Sequence, residues 1–296
     1  MKAMRLILNG KKAGLLPLRE AIIAARELGD IEVRVTWESG DVERLVQEAH
    51  QDNCQRLMIG GGDGSVKEAV DALMQIEESQ RPELAILPLG TANDFATACL
   101  IPDDYAKALR LALEGEAVKV DCIQADDQYF MNVASGGFGA YVTANTPTEL
   151  KNFLGGGAYT LHGLLRTLDF KPNQGKLVTP DQTISGRVIV SAICNGRLAG
   201  GGQQLAPNAK INDGLMDVVA WLETPAESLI TTIKDMFDSE VSGEYIKRFR
   251  VPWVEWCSDS EMPINLDGEP IARKRIRFEV VPKAISLVLP ENSPII

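Results

Sequence analysis

The sequence predicts two domains, an α/β domain followed by a mostly antiparallel β domain, and three observations lead to this fold class. The chain has 296 residues, enough for two hydrophobic cores of ordinary size. Its first part alternates strand-like and helix-like patterns. From Ala117 onward, short strand-like segments follow one another and are separated by turns.

The first half alternates strand and helix throughout. Strands are predicted at 4–9, 31–37, 56–60 and 84–90, and helices at 17–29, at 41–51, from 65, near 92–99 and at 103–114. In the second of these helices Val42, Leu45, Val46 and Ala49 recur on one face. This alternation indicates a parallel sheet covered by helices, with binding loops at the carboxyl ends of its strands.

The second half is rich in strands. They are predicted at 117–125, 128–135, 186–196, 214–222, 244–256, 262–268, 275–281 and 285–290, with helices around 147–168 and 225–237. We therefore place the α/β domain at 1–122, with the tail 284–296 returning to it, and the β-rich domain at 123–283.

Composition excludes several classes of protein. A net charge of −11 argues against a nucleic-acid binder, which normally carries a basic stripe. No apolar run reaches the length of a membrane span, and the opening residues read as a strand rather than a signal peptide. Five scattered cysteines without a CxxC motif indicate reduced thiols in a cytoplasmic protein, and two histidines leave little for a histidine-built zinc site.

The stretch RLMIGGGDGSVKEAV (56–70) places a glycine-rich turn, 60–64, between a buried strand and a helix that Ser65 is predicted to cap. It fits neither the dinucleotide fingerprint nor the P-loop pattern. Glycine N–H groups and a helix N-terminus favour an anion, yet Asp63 would repel one unless a cation intervenes. The alternative is a tight turn in which Asp63 bonds to its own backbone.

A second polar turn, PLGTANDFA (88–96), follows the next predicted strand. Gly90 permits the turn, while Thr91, Asn93 and Asp94 supply a hydroxyl, an amide and a carboxylate. Helix capping alone would account for Thr91 or Asn93. Because both glycine turns follow strands of one parallel sheet, we expect them to open onto the same edge.

These two motifs together, GGDGS (61–65) with Glu68 and then PLGTANDFA, resemble the diacylglycerol kinase catalytic family, which includes sphingosine kinases, and are close to the bacterial YegS-type lipid kinases. The resemblance continues in order through LILNGK (6–11), VRVTWESGD (33–41), FMNVASGGFG (130–139), NGRLAGGGQQL (195–205), NAKINDGL (208–215) and NLDGEP (265–270). Ser65 stands where threonine is usual and keeps the hydroxyl. The stretch 225–262 has no matching motif.

The resemblance implies a phosphofructokinase- or NAD kinase-like α/β domain joined to a β-sandwich, with ATP bound in the cleft between them. In such proteins the GGDG loop contacts ATP phosphates and its carboxylate belongs to an acidic group that manages Mg²⁺, with Ca²⁺ or Mn²⁺ as alternatives. A cation would explain why Asp63 faces phosphate. The nucleotide-site residues implied are Thr36, Gly61, Gly62, Asp63, Gly64, Ser65, Val66, Lys67, Thr91, Asn93, Asp94 and Asp121.

Two further acidic turns carry candidate residues. The LDGEP turn holds Asp267 and Glu269, either of which the resemblance makes a proton acceptor for the substrate hydroxyl; we favour Glu269. Asp-Gly alone would indicate only a hairpin turn. In KINDGLMD (210–217), Asp213 matches a metal-binding position, helped by the carbonyls of Lys210 and Leu215, with an Asx-type turn as the alternative.

The function implied is ATP-dependent phosphorylation of a hydroxyl on a membrane lipid, such as phosphatidylglycerol or diacylglycerol. The alternatives are a kinase of a small molecule, like NAD kinase, and a catalytically silent regulator that binds nucleotide or lipid. ATP and a membrane lipid are therefore the predicted partners. The sequence gives no sign of an obligate protein partner.

A basic cluster, Arg273, Lys274, Arg275 and Arg277, follows the LDGEP turn. Alternation along a strand would send the three arginines to one face. This is either a solvated edge strand, charged to block aggregation, or a patch that attracts anionic headgroups at roughly 1 kcal/mol per residue. The second interpretation predicts transient peripheral contact with a membrane.

Overall fold

The computed structural model of the protein describes residues 4–137, 172–225 and 241–296, together with residues 227, 228, 231, 232, 235 and 238. The helix predicted around 147–168 lies outside the described residues, and the one predicted at 225–237 lies largely outside them. The chain forms two compact units. Unit 1 comprises Met1–Cys122, Ile211–Asp213 and Val281–Ile296, and unit 2 comprises Ile123–Lys210 and Gly214–Val280.

Unit 1 is an α/β unit with a parallel sheet. Its strands are β1 (Met4–Asn9), β2 (Ile31–Thr36), β3 (Arg56–Gly61) and β4 (Glu83–Pro88). Its helices are α1 (Leu16–Ala25), α2 (Asp41–Gln51), α3 (Asp63–Met74), α4 (Asp94–Ala98) and α5 (Tyr105–Glu114), with a 3-10 turn at Glu78–Gln80. The strands pair in the order β2-β1-β3-β4, all parallel.

The central strands of this sheet are buried along their length because helices cover both faces. Every residue of β3 is buried, and in β1 only the last one is partly exposed. Continuous burial of this kind is typical of parallel strands. The predicted apolar face of α2 packs inward, since Val42, Leu45, Val46 and Ala49 are all buried.

The start of α3 differs from the prediction. The helix begins at Asp63 with Gly62 as its N-cap, so the prediction of Ser65 as the cap is wrong. The reason lies in the backbone of Gly62, which is extended and accepts the first helical bond from the N–H of Val66 at 3.1 Å. Gly60 and Gly61 remain in β3. The glycines therefore make a very short crossover from strand to helix.

Unit 2 is built from antiparallel strands. The strands that follow α5 are β5 (Ala117–Ala125), β6 (Gln128–Phe130), β7 (Val133–Gly137), β8 (Asn173–Val178), β9 (Thr183–Cys194), β10 (Leu198–Ala199), β11 (Gln203–Gln204), β12 (Met216–Leu222), β13 (Ile246–Val251), β14 (Trp253–Leu266) and β15 (Glu269–Val288). The main run of pairs is β13-β12-β9-β7-β14-β15, with β8 against β9 and β14.

Several predicted strands have different limits in the structure. The segment predicted at 244–256 is divided at Pro252, which has no N–H to give to a ladder. The segment at 128–135 is interrupted at Met131 and Asn132, whose N–H groups bind the carboxylate of Asp267 instead of a strand. The segments predicted at 275–281 and 285–290 belong to one strand, β15, whose Leu287 pairs with Leu84 of β4.

The core of unit 2 contains a glycine that we expect to be intolerant of any side chain. A Cβ at Gly136 of β7 would overlap the ring of Trp256, which is 2% exposed. We predict that Gly136→Ala lowers the free energy of unfolding by about 1–3 kcal/mol, because a packed core cannot admit an extra methyl without strain. Chemical denaturation measures this difference.

Gly186→Ala in β9 is the matched control, because its Cβ would meet only Leu222 side-chain atoms, at 3.6 and 3.8 Å. This second substitution should change stability much less. An equal loss of stability in both variants would mean that overlap with Trp256 is not the cause.

Among the residues that the structure describes, no helix is both long enough and apolar enough to cross a membrane.

Candidate active site

The two glycine turns of unit 1 touch each other at the carboxyl ends of β3 and β4. Gly61 pairs with Pro88, and the N–H of Leu89 donates to the carbonyl of Gly61 at 2.9 Å. A Cβ at Gly90 would lie 2.6 Å from the Cα of Gly62, so the backbones are in direct contact. Only glycine allows this approach. The structure thus brings both predicted motifs to one edge of the sheet.

Asp63 links the starts of two helices. It is the first residue of α3, and its carboxylate accepts hydrogen bonds from the N–H groups of Asp94 at 3.2 Å and Phe95 at 3.1 Å, at the start of α4. Burial raises the pKa of the Asp63 carboxyl, and the negative charge of Asp94 raises it further. Two carboxylates that repel each other at a phosphate-type loop form an environment that favours a cation.

The first turn of α3 supplies donors for an anion. The N–H of Val66 donates the first backbone hydrogen bond of α3. The N–H groups of Gly64 and Ser65 come earlier in the chain and therefore have no acceptor within the helix. Val66 is buried and its N–H donates to Gly62. Lys67 is also buried, and its Nζ binds Asp71 at 2.6 Å. Backbone donors, rather than the Lys67 ammonium, are therefore the groups best placed to receive phosphate.

Three other predicted nucleotide contacts lie in the same unit, one at the end of a strand and two in the turn between β4 and α4. Thr36 ends β2, and its Oγ1 accepts a hydrogen bond from the N–H of Gly10 at 3.3 Å. Thr91 is exposed. Asn93 closes its turn, since its Oδ1 accepts from the N–H of Gly90 at 2.8 Å and its Nδ2 donates to the carbonyl of Gly90 at 3.1 Å. Asn93 thus has a structural role whether or not it binds nucleotide.

Asp121, the third acid predicted for this site, is fully buried in β5. Its Oδ1 accepts a hydrogen bond from the N–H of Lys283 at 2.7 Å, and its own N–H donates to Ile211 at 2.6 Å. The bond from Lys283 holds the returning C-terminal segment against β5, and the bond to Ile211 holds a second segment of unit 1. Asp121 therefore has a structural role, and its role in binding a cation stays a prediction.

The donor set fits Mg²⁺ in the form in which kinases usually bind it. In the part of the chain that the structure describes, no group of three or more His, Cys, Asp or Glu side chains could hold a metal. Mg²⁺ commonly takes one or two carboxylates and completes its shell with water and substrate phosphates. Asp63 and Asp94 supply such a pair of hard oxygen donors, each at the first position of a helix.

The LDGEP motif (266–270) contains the two-residue turn that connects β14 with β15. Leu266 and Glu269 are register partners, and Asp267 and Gly268 lie between them, both with positive φ. Asp267 is 8% exposed, whereas Glu269 is partly exposed at the start of β15. The turn predicted from Asp-Gly is thus present, and the two acids occupy different environments.

The turn that contains Asp213 connects Lys210 with Leu215. The Asp213 side chain is exposed, and Gly214 follows it with a φ of 74°. An exposed carboxylate in a turn flanked by backbone carbonyls is a set of oxygen donors that suits a hydrated hard cation. The metal at Asp213, Lys210 and Leu215 stays a prediction.

The arginines of the basic cluster face outward and are paired with acids. Arg273 lies 3.7 Å from Asp126, Arg275 lies 2.7 Å from Glu255, and Arg277 lies 2.9 Å from Glu279. β15 pairs with β14 along this cluster, and on its other side the carbonyl of Arg277 accepts a hydrogen bond from the N–H of Asp126. Both interpretations of the cluster stay predictions. The paired acids offset positive charge that would attract headgroups.

Sequence reasoning assigned no role to several polar residues around the LDG turn. Asn195 donates from Nδ2 to the carbonyl of Met131 at 2.8 Å, and Asn132 donates from Nδ2 to Leu198 at 3.0 Å. Both asparagines are buried. The sequence could have pointed to them, because Asn132 lies in FMNVAS and Asn195 in NGRLAGGG, two motifs of the resemblance.

Comparison with known families gives two matches that together span most of the chain. Residues 3–125 match the diacylglycerol kinase catalytic domain. Residues 132–289 match the YegS C-terminal NAD kinase beta sandwich-like domain.

Individual relatives agree with these matches. Proteins named "Probable lipid kinase YegS-like" from Shewanella frigidimarina and Chromohalobacter salexigens are 50% and 45% identical to this chain, each over 98% of it and over 95% and 94% of their own lengths. A crystal structure of a diacylglycerol kinase from Bacillus anthracis str. Sterne shares the fold, with a TM-score of 0.77 at 22% identity, over 99% of this chain and 98% of that one. The predicted fold class, an α/β domain followed by a β-sandwich domain, is confirmed.

Proposed function

The chain belongs to the diacylglycerol kinase catalytic domain family with a YegS-type C-terminal domain, and from this premise we propose that it is an ATP-dependent lipid kinase. The reaction proposed is transfer of the γ-phosphoryl group of ATP, with Mg²⁺, to a hydroxyl of a membrane lipid such as phosphatidylglycerol or diacylglycerol. Family membership supports a lipid kinase. The use of ATP, the need for Mg²⁺ and the identity of the acceptor lipid go beyond family membership and are our proposal.

The observation that carries the proposal is the contact between the two glycine turns. It places the carboxylate of Asp63 against the N–H groups of Asp94 and Phe95. The N–H groups of Gly64 and Ser65, which have no acceptor within α3, lie in the same helix turn as Asp63. Donors for phosphate and acceptors for a cation thus lie at one edge of a parallel sheet, where ligands of α/β folds bind. This combination suits a triphosphate that carries a divalent ion.

In the proposed reaction the backbone N–H groups of Gly64 and Ser65 bind phosphate oxygens and orient the γ-phosphoryl group. Mg²⁺, when bound, neutralises phosphate charge. The carboxylate of Glu269 accepts the proton of the acceptor hydroxyl. The hydroxyl oxygen forms a bond to the γ-phosphorus as the bond from that phosphorus to the ADP oxygen breaks, and ADP leaves.

We propose a second, separate cation at Asp213. Asp213→Ala should remove a rise in thermal stability that added Mg²⁺ produces in the wild-type protein, because a bound ion stabilises only the folded chain. The measurement is a thermal melt across an Mg²⁺ series, without nucleotide. Asp127→Ala, at an exposed aspartate in the turn between β5 and β6, is the control for loss of one charge. An unchanged Mg²⁺ response in Asp213→Ala would leave this residue as a turn former.

The experiment that tests the proposed function uses γ-labelled ATP and lipids in mixed micelles. Diacylglycerol, phosphatidylglycerol and a sphingoid base are offered separately, with NAD in a parallel reaction. Label in the organic phase with one lipid supports the proposal. Label on NAD would favour a small-molecule kinase, and nucleotide binding without transfer to any acceptor would favour a silent regulator.

The proposed site of action is the cytoplasmic face of a membrane, which the protein contacts transiently. Vesicle sedimentation of the wild type and of the variant with Arg273, Arg275 and Arg277 changed to Gln tests the basic cluster. Because each arginine already pairs with an acid, we expect at most a small loss of binding to anionic vesicles at low salt. A large loss would restore the cluster as the main contact.

A further inference from the structure

Asp267 lies in a two-residue turn of unit 2. Its φ is 47° and that of Gly268 is 103°, and two successive residues with positive φ are what a type I′ hairpin turn requires. The N–H of Gly268 donates to the Oδ1 of Asn265 at 2.8 Å. Glu269 is the first residue after this turn, so the conformation of the turn sets where the Glu269 carboxylate is presented.

The carboxylate of Asp267 accepts hydrogen bonds from three successive backbone N–H groups. Its Oδ2 binds Met131 at 3.1 Å and Asn132 at 3.0 Å, and its Oδ1 binds Val133 at 2.7 Å. The N–H of Asp267 in turn donates to the carbonyl of Val133 at 3.2 Å. Successive N–H groups of this kind form a concave site for an anion, and here a side chain of the same unit fills it.

The segment that receives Asp267 is held from another side as well. The carbonyl of Asn132 accepts bonds from the N–H groups of Asn195 and Gly196, both at 2.9 Å. The Nδ2 of Asn195 donates to the carbonyl of Met131 at 2.8 Å. The LDG turn (266–268) is therefore attached through the Asp267 carboxylate to a backbone segment, 131–133, that is also held by Asn195 and Gly196.

We propose that Asp267 is a positioning residue, and that its carboxylate holds the turn from which Glu269 accepts the proton of the acceptor hydroxyl. This inference rests on the proposed function. If Asp267 took the proton, its oxygens would lose hydrogen bonds to N–H groups that are buried with it, which is unfavourable. Glu269 is partly exposed and can reach a substrate, whereas Asp267 is 8% exposed and faces the 131–133 segment.

The test compares Asp267→Asn with Glu269→Gln in the full-length protein, with the best lipid acceptor at saturating ATP. The turnover is expressed per molecule that binds ATP, so that loss of folded protein does not count. We expect Asp267→Asn to lower this kcat on the order of 10- to 100-fold, because the turn shifts. The kcat of Asp267→Asn should still fall at low pH as that of the wild type does. This fall, the acidic limb of the pH profile, should be absent in Glu269→Gln.

Amide hydrogen exchange provides the readout that does not depend on catalysis. Exchange at Met131, Asn132 and Val133 should be faster in Asp267→Asn and unchanged in Glu269→Gln. If the wild type phosphorylated no lipid, the proposed function would fail, while the exchange data would still decide whether Asp267 holds the turn.

Asn265→Ala is a second variant, which loosens the same turn without touching the carboxylate of Asp267. Asn265→Ala should lower kcat per ATP-binding molecule and keep the fall in activity at low pH. If Asp267→Asn does not fold, this second variant still tests the proposal. Two results would overturn the proposal. One is an Asp267→Asn protein that loses the acidic limb while its 131–133 amides stay protected, and the other is full kcat in both turn variants.

Discussion

Asp63→Asn is expected to lower kcat/KM for ATP on the order of 10²- to 10³-fold, the loss typical when one electrostatic contribution to the transition state is removed. An amide cannot replace the negative charge that would face the proposed cation. Mg²⁺-dependent binding of ATP should weaken in parallel. Steady-state kinetics and a binding titration with and without Mg²⁺ measure both effects.

Stability should respond differently from activity in this variant. Asn keeps one oxygen for the N–H groups of Asp94 and Phe95, so one hydrogen bond of about 0.5–1.5 kcal/mol is lost. Burial and the charge of Asp94 raise the pKa of Asp63, so removing the charge also relieves an unfavourable interaction. We therefore expect a small net change in melting temperature together with a large loss of turnover.

Asp104→Asn is the matched control for Asp63→Asn. Asp104 is the N-cap of α5 and accepts a bond from the N–H of Lys107 at 2.9 Å, so it too is an aspartate at a helix start. Asn is an equally good cap, and both stability and turnover should stay near wild type. Near-normal turnover in Asp63→Asn would reduce Asp63 to a residue that joins two helix starts.

Glu269→Gln is expected to lower kcat by roughly 10²- to 10⁴-fold, the range for removal of a general base, while the affinity for ATP stays close to wild type. The reason is that in the proposed reaction the carboxylate acts on the acceptor hydroxyl, and an amide cannot take its proton. The measurement is kcat at saturating lipid, together with an ATP binding titration.

Glu279→Gln serves as the control on the same strand. Glu279 is exposed and pairs with Arg277 at the surface, so its loss should leave kcat unchanged. If Glu269→Gln kept full kcat and Asp267→Asn lost it together with the acidic limb of the pH profile, the roles assigned to the two acids would be reversed.

Local pattern was enough to predict the α/β alternation. β1 and β3 contain short continuous apolar runs, and the apolar residues of α2 recur with the period of a helix, so each element could be assigned without knowledge of its neighbours. The start of α3 was predicted two residues late, at Ser65, because a serine is the usual cap and glycine is a weak helix former. Only the backbone conformation of Gly62 reveals the earlier start.

The partners of the candidate residues could not be predicted, because they are distant in the sequence. The residues that bind the carboxylate of Asp63 are 31 and 32 positions away, and Met131 is 136 positions from Asp267. No periodicity links such positions. Pattern and resemblance pointed to Asp63 and Asp267 as acids of a site, and the structure adds what each carboxylate holds in place.

The most direct test of the proposed kinase is mass spectrometry of the lipid fraction after incubation with ATP and Mg²⁺, with ADP measured in the same sample. The proposal predicts a lipid that has gained the mass of one phosphoryl group, formed in equal amount to ADP and absent from the Asp63→Asn reaction. ADP formation without a phosphorylated lipid, or the same lipid product from Asp63→Asn, would contradict it.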